Sequence, residues 1–325
     1  MILKLFKNHS PVTILLLLLV YLGYWLNIFI FQHTDLPANP HQSSHLYNWF
    51  GGLFSNYPTV SSAIAFFLIA IQSFIIERIN SKFMVIEGRT YLPALFFMII
   101  CSSFKDMHYL NPAIIANFFI LFAFYKLIDS HKKHKANSIV FDTFLLLSIA
   151  SLIYPPTVYL LPVFFAGITI FRPFIFREWI IALTGYLTPL VICYAFYFIN
   201  DEAETLLNPF INSLTFNRFY FQYETFEYIY IGVLGLTALI SLFSTLSIIS
   251  SKKINIRKYF SFIVWFFVIS IAATILAYVN SYEMIAIVAM PLTFLLSSYF
   301  NSQKGIFTEI IFSAFLFASF LAIYL

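Results

Sequence analysis

The chain has 325 residues, of which 61% are hydrophobic and 10% charged, with a formal net charge of +4. That balance excludes a soluble globular domain, because a chain of this length cannot hide so much apolar side chain from water. Two cysteines support neither a disulfide framework nor a zinc knuckle, and the small net charge does not describe a nucleic-acid binder.

The apolar runs, in chain order, are 12–31, 58–77, 90–104, 110–127, 138–154, 156–171, 179–199, 228–250, 259–279, 284–300 and 306–325. A helix needs about 20 apolar residues to cross the hydrocarbon core. Most of the runs meet that length, and the third, fifth and sixth are short. Lys4 and Lys7 ahead of the first run suggest a secretory signal. However, Val12–Phe31 is long for a signal core and no small-residue cleavage site follows, so it reads as a retained first helix. Between the fifth and sixth runs, Pro155-Pro156 removes a backbone donor and clashes with the preceding turn, which predicts two short helices meeting in a tight hairpin.

The basic residues sort onto alternate gaps. Of the 18 Lys and Arg, 16 lie in the amino-terminal segment or in every second loop, and only Lys105 and Arg218 lie in the others. Because positive residues are retained on the cytoplasmic side, this alternation predicts an all-α polytopic membrane protein. It has about eleven transmembrane helices, its amino terminus in the cytoplasm and its carboxyl terminus outside. The inner loops then sum to +10 and the outer segments to −6, so the inner face attracts anionic lipid headgroups. Residues 1–325 read as a single transmembrane domain of a bacterial inner membrane. The outer loop 32–57 carries an amphipathic patch, His45-Leu46-Tyr47-Asn48-Trp49-Phe50, and in the outer loop 200–227 residues 207–227 alternate aromatic and polar residues, so both read as interfacial helices.

Charges beside apolar runs usually pair or serve function. On the outer side, Asp35 follows the first run by four residues and Asp106 ends the third, in Phe104-Lys105-Asp106-Met107-His108-Tyr109. A carboxylate at that boundary can take a proton from a sugar hydroxyl, or hold a divalent cation beside a phosphate. Lys105 and Arg218 are the outer cations available to a substrate phosphate. His33, His41 and His45 form a weaker metal-binding candidate, with the last two at i, i+4; the other reading is ordinary polar loop residues. On the inner side, Arg172, Arg177 and Glu178 read as an orientation anchor with a local Arg–Glu pair. Asp142 and Glu309 read as acids paired with neighbouring basic loops. There is no Gly-rich phosphate loop, nucleophile elbow, HExxH or CxxC.

Two stretches carry a resemblance. One is Tyr109-Leu110-Asn111-Pro112-Ala113-Ile114-Ile115-Ala116-Asn117. The other runs from Asp142 through Ser151-Leu152-Ile153-Tyr154-Pro155-Pro156 to Arg172-Pro173-Phe174, Arg177-Glu178-Trp179, Gly185 and Pro189. Together they resemble an uncharacterised bacterial multipass family of unknown function. More loosely they are similar to polyprenyl-phosphate-sugar-dependent glycosyltransferases of the GT-C fold, in which an acid follows the first helix, a second acid lies in the next outer loop and a proline hairpin follows. The resemblance implies a GT-C-like fold that transfers or handles a polyprenyl-phosphate-linked sugar at the outer face. Asp35 and Asp106 would be the acids, and Tyr154 stands where those enzymes carry a hairpin lysine. Two other expectations compete. One is a non-enzymatic scaffold or accessory subunit of an envelope assembly or secretion machine, bound to other membrane subunits. The other is a transporter, against which the scarcity of Gly and of mid-membrane charge counts.

Overall fold

The computed structural model describes residues 2–7, 10–31, 47, 57–131, 133, 136–214, 225–276, 281–303 and 305–324. Its elements are helical throughout, with no strand among the described residues. A short α1 (Ile2–Lys7) precedes α2 (Pro11–Phe31), α3 (Pro58–Phe83), α4 (Leu92–Ser102), α5 (Pro112–Asp129) and α6 (Asn137–Ile153). Then come α7 (Leu161–Phe171), α8 (Phe176–Ile199), α9 (Ala203–Leu214), α10 (Thr225–Ile248), α11 (Ile254–Leu276), α12 (Ser281–Ser302) and α13 (Ile306–Tyr324). Three 3₁₀ segments, Lys105–His108, Pro155–Leu160 and Ile249–Ser251, lie between the described α-helices.

Among the described residues eight helices are long and apolar enough to cross a membrane, against eleven apolar runs in the sequence. The other three runs form Leu92–Ser102, Asn137–Ile153 and Pro155–Phe171, the last of which begins as the 3₁₀ turn. Packing accounts for the shortest. Every residue of α4 is buried, so its ends meet protein rather than hydrocarbon. A helix of 11 residues, roughly 16 Å long at 1.5 Å per residue, then leaves no backbone group exposed to lipid. Local chemistry sets the boundaries. The Asn111 side chain accepts from the Ile114 amide at 2.8 Å and Pro112 follows it, an N-cap with proline in the first turn. Tyr154, held extended (φ −134°, ψ 93°) by the following proline, ends α6 at the predicted hairpin.

Long-range polar contacts gather at two ends of the bundle. At the basic end, Lys82 pairs with Asp129 at 2.9 Å, Lys126 with Asp142 at 3.0 Å and Lys252 with Glu87 at 2.7 Å. There too Lys7 donates to the Gln303 carbonyl at 3.0 Å and Asn301 to the Glu87 carbonyl at 2.7 Å. The expected Arg–Glu pair forms as a buried clasp between Arg172 and Glu178, at 2.7 Å. Asp142 is tied to a neighbouring basic residue, as expected. Between the ends the described bundle is apolar apart from hydroxyls bonded to their own helices and a few cross-links. The Tyr21 hydroxyl donates to the Phe66 carbonyl at 2.7 Å, the Tyr24 hydroxyl pairs with that of Ser319, and the Tyr186 hydroxyl donates to that of Ser151 at 3.1 Å. Gln72 of α3 donates to the Ile114 carbonyl at 2.7 Å and accepts from Asn117 of α5 at 2.9 Å. Such pairing is what a buried amide requires.

Candidate functional site

At the opposite end, the segment between α4 and α5 forms a plug over the bundle. Phe104 and Met107 turn inward, fully buried. The Leu110 amide donates to the Ser61 hydroxyl at 2.9 Å, and the Leu110 carbonyl accepts from the Tyr47 hydroxyl at 2.6 Å. The end of α2 closes one flank. The Trp25 indole N–H donates to the Ser102 hydroxyl at 3.1 Å, and its ring meets the His108 ring edge-on at 4.5 Å. The first and third apolar runs therefore do converge at one end.

His108 is fully buried, and neither ring nitrogen has a well-formed hydrogen bond. Burial pushes its pKa down to about 4, with backbone groups of Lys105, Phe104 and Tyr24 offsetting only part of that cost. The imidazole is therefore neutral in the folded protein. An unfolded imidazole titrates near 6.5, so below that pH the unfolded state binds a proton that the folded state refuses. The stability contribution is complete above about 6.5 and is lost as pH falls towards 4. Thermal unfolding in detergent is expected to shift to lower temperature between pH 7.5 and 5. His108→Phe should flatten that dependence, and an unchanged slope in the variant would remove His108 from the account.

A second polar group lies under the same end. Glu283, in the first turn of α12, is 2% exposed. The Tyr154 hydroxyl of the proline hairpin faces its carboxylate, and Tyr47 lies within electrostatic reach of it. Glu227, in the first turn of α10, is buried as well. Lys105 and Asp106 are half-buried on the 3₁₀ turn and remain reachable from outside. Beside this plug an apolar crevice of about 340 Å³ runs between α4, α10, α11 and α12, lined among others by Phe104, Tyr228, Ile231, Thr274 and Ile285. Phe104 adjoins Lys105, Tyr228 adjoins Glu227, and Ile285 lies two residues from Glu283. Among the described residues the crevice wall itself carries no charged side chain; the charged residues stand next to its lining residues along the chain.

Of the residues singled out in the sequence, Lys105 and Asp106 sit on this plug. Asp35, Arg218, His33, His41 and His45 lie outside the described residues, as do most of loop 32–57 and residues 215–224 of the second outer loop. The described part of the second loop includes α9, which carries a proline and separates apolar from polar residues strongly along its 12 positions. Among the described residues no three His, Cys, Asp or Glu side chains come together as a metal site. Sequence reasoning passed over Trp25, His108, Tyr154 and Glu283 as site residues. His108 and Glu283 show only as polar residues at the edge of apolar runs, Tyr154 only as the residue before the proline pair, and Trp25 is hidden inside the first run; their partners lie tens to hundreds of positions away.

No match to the chain was found among curated proteins or among solved structures. A family model does match it, over residues 49–325, a span that includes Lys105 and Asp106. The chain belongs to the family that this model describes, a family of unknown function (DUF6427).

Proposed function

We propose that the protein spans the bacterial inner membrane with its eleven apolar runs, amino terminus inside, and handles a polyprenyl-phosphate-linked sugar at the outer face in the manner of a GT-C enzyme. One observation carries this reading: an apolar crevice of about 340 Å³ opens beside a turn that presents Asp106 and Lys105. A lipid-linked sugar has the same division, an isoprenoid chain at one end and hydroxyls and phosphate at the other. Carboxylates accept hydrogen bonds from sugar hydroxyls, and a lysine contacts phosphate as a point charge. In this reading Asp35 is the base or the acid that holds a divalent cation, Asp106 its partner, and Lys105 and Arg218 the phosphate contacts. Orientation follows from charge: the end with Lys82, Lys126, Arg172 and Lys252 faces the cytoplasm, and the end with Glu227 and Glu283 faces out.

Asp106→Asn keeps the shape of the turn and removes the carboxylate. Transfer to envelope glycans, read from whole-cell glycan profiles, should fall by about 10²-fold, the lower end of what a general acid–base group contributes, because the base at Asp35 loses its partner, while membrane insertion stays intact. An unchanged glycan profile with the variant correctly inserted would contradict the enzymatic reading. A specific observation favours a scaffold as the second reading. In α8 and α10 only 17% and 22% of the most apolar stretch is buried, well below the 39% of α13, which leaves two helix faces for other membrane subunits. Tolerance of Asp106→Asn together with a partner that co-purifies in mild detergent would favour it.

A further inference from the structure

At the basic end, α1 lies across the bundle as a short clamp. Leu3 and Phe6 are buried, with the Phe6 ring 6.3 Å from that of Phe312 in α13. On the other side Lys7 donates to the carbonyls of Asn301 and Gln303, at 3.4 and 3.0 Å, which closes off the end of α12. Between this clamp and α13 lies a groove of about 1220 Å³, larger than the roughly 300–1,000 Å³ of small-molecule pockets. Its chemistry changes along its length. The end at the clamp carries Lys4, Lys7, Thr308 and Glu309. From there it follows Ile306, Ile310, Ser313, Ala314 and Phe317 of α13, positions spaced by three or four and so on one helix face.

That face has a notch. Ile306, Ile310 and Phe317 are exposed large side chains (79%, 59% and 66%), and between the last two stand the small Ser313 and Ala314. A flexible chain can lie in the notch against the larger walls, out of contact with water. The polar end holds two lysines against one glutamate, and it belongs to the end of the bundle where Lys82, Lys126, Arg172 and Lys252 also gather. The occupant that fits both halves is a lipid with a negative headgroup.

We propose that the groove between α1 and α13 is a specific site for an anionic phospholipid, with its phosphate at Lys4 and Lys7 and one acyl chain along Ile310–Phe317. The site lies at the opposite end from the Asp106 plug and does not depend on the sugar-lipid reading. Charge brings the headgroup and the notch makes the site selective, so removing either should weaken binding. A purely electrostatic rim would respond to charge alone.

Native mass spectrometry of the full chain in detergent, titrated with phosphatidylglycerol, phosphatidylcholine or glycerol 3-phosphate, separates these cases. Phosphatidylglycerol adducts should persist several-fold above phosphatidylcholine adducts, and glycerol 3-phosphate should not displace them. Lys4→Gln should lower phosphatidylglycerol retention about fivefold, the order expected for one lysine at an anionic lipid surface, and Lys4→Arg should restore it. Ala314→Phe, which fills the notch at a lipid-facing position without touching the core, should lower retention to a similar degree. Equal retention of the two lipids, wild-type retention in Ala314→Phe, or full competition by glycerol 3-phosphate would each overturn the proposal.

Discussion

Arg172→Ala is expected to cost about 3–5 kcal/mol of stability, the usual penalty for breaking a buried ion pair from one side. The readout is collapse of the monodisperse detergent peak and a large drop in yield. The guanidinium carries the whole junction between α7 and α8. Its Nε donates to both Glu178 oxygens, at 3.0 and 2.9 Å, and Nη2 donates to Oε1 at 2.7 Å. Nη1 donates to the carbonyls of Ser130 and Lys133, at 3.0 and 2.7 Å, tying the hairpin to the end of α5. Alanine would leave a carboxylate with 3% exposure and take a donor from each of two carbonyls, of which that of Ser130 still accepts from the Lys133 amide at 3.2 Å. Lysine cannot replace the fork, because one ammonium does not satisfy a bidentate carboxylate and two carbonyls together. Arg172→Met combined with Glu178→Leu should recover most of the loss, since a buried pair replaced whole by apolar groups is often neutral. If the double variant were as unstable as Arg172→Ala, the carbonyl contacts rather than the ion pair would carry the junction.

Gly185→Ala should be the most damaging of the conservative glycine changes. A Cβ at Gly185 would lie 2.6 Å from the Phe141 carbonyl oxygen and 3.2 Å from the Phe141 Cα. Both are backbone atoms of α6, so no rotamer change relieves the clash and the two helices must separate. Overpacking of this kind costs about 1–3 kcal/mol, and here it falls on the contact between α6 and α8. Gly167→Ala meets side chains rather than backbone, Leu127 and Phe262 at 2.6 and 2.7 Å, so its relief requires those two buried side chains to repack without separating the helix backbones. Nothing lies within 4 Å of a Cβ at Gly232, so alanine there should be neutral or gain up to about 1 kcal/mol through helix propensity. Comparing Gly185→Ala with Gly232→Ala by thermal unfolding isolates helix contact from propensity. Equal melting temperatures would mean that α6 and α8 do not depend on close backbone approach.

Much of the helix pattern is legible in the sequence, because the cost of exposing backbone and apolar side chains acts along the chain. The runs, the cap at Asn111 and the break at Tyr154-Pro155 are local. The short third run was legible as short, but only its burial explains why a helix of that length is tolerated. Closeness of helices is less legible. The scarcity of glycine argues against extensive small-residue packing, yet Gly185 provides one such contact and Gly232 does not, and nothing in their immediate neighbours distinguishes them. The candidate site divides in the same way. Lys105 and Asp106 stand out as charges on the side that otherwise lacks lysine, so charge bookkeeping finds them. His108 and Glu283 acquire their environment from Trp25 and Tyr154, contacts made by folding over long separations, which no local pattern encodes.

Under the proposed function, the crevice beside the Asp106 turn seats the chain of a lipid-linked substrate. Mass spectrometry of lipids extracted from the purified full-length protein tests it most directly. Wild-type protein is compared with Thr274→Phe, which adds bulk at a half-buried position lining the crevice. The prediction is polyprenyl-phosphate-linked lipid retained by the wild type and depleted several-fold in the variant, at equal thermal stability. Equal amounts in both proteins, or no polyprenyl lipid in either, would contradict it.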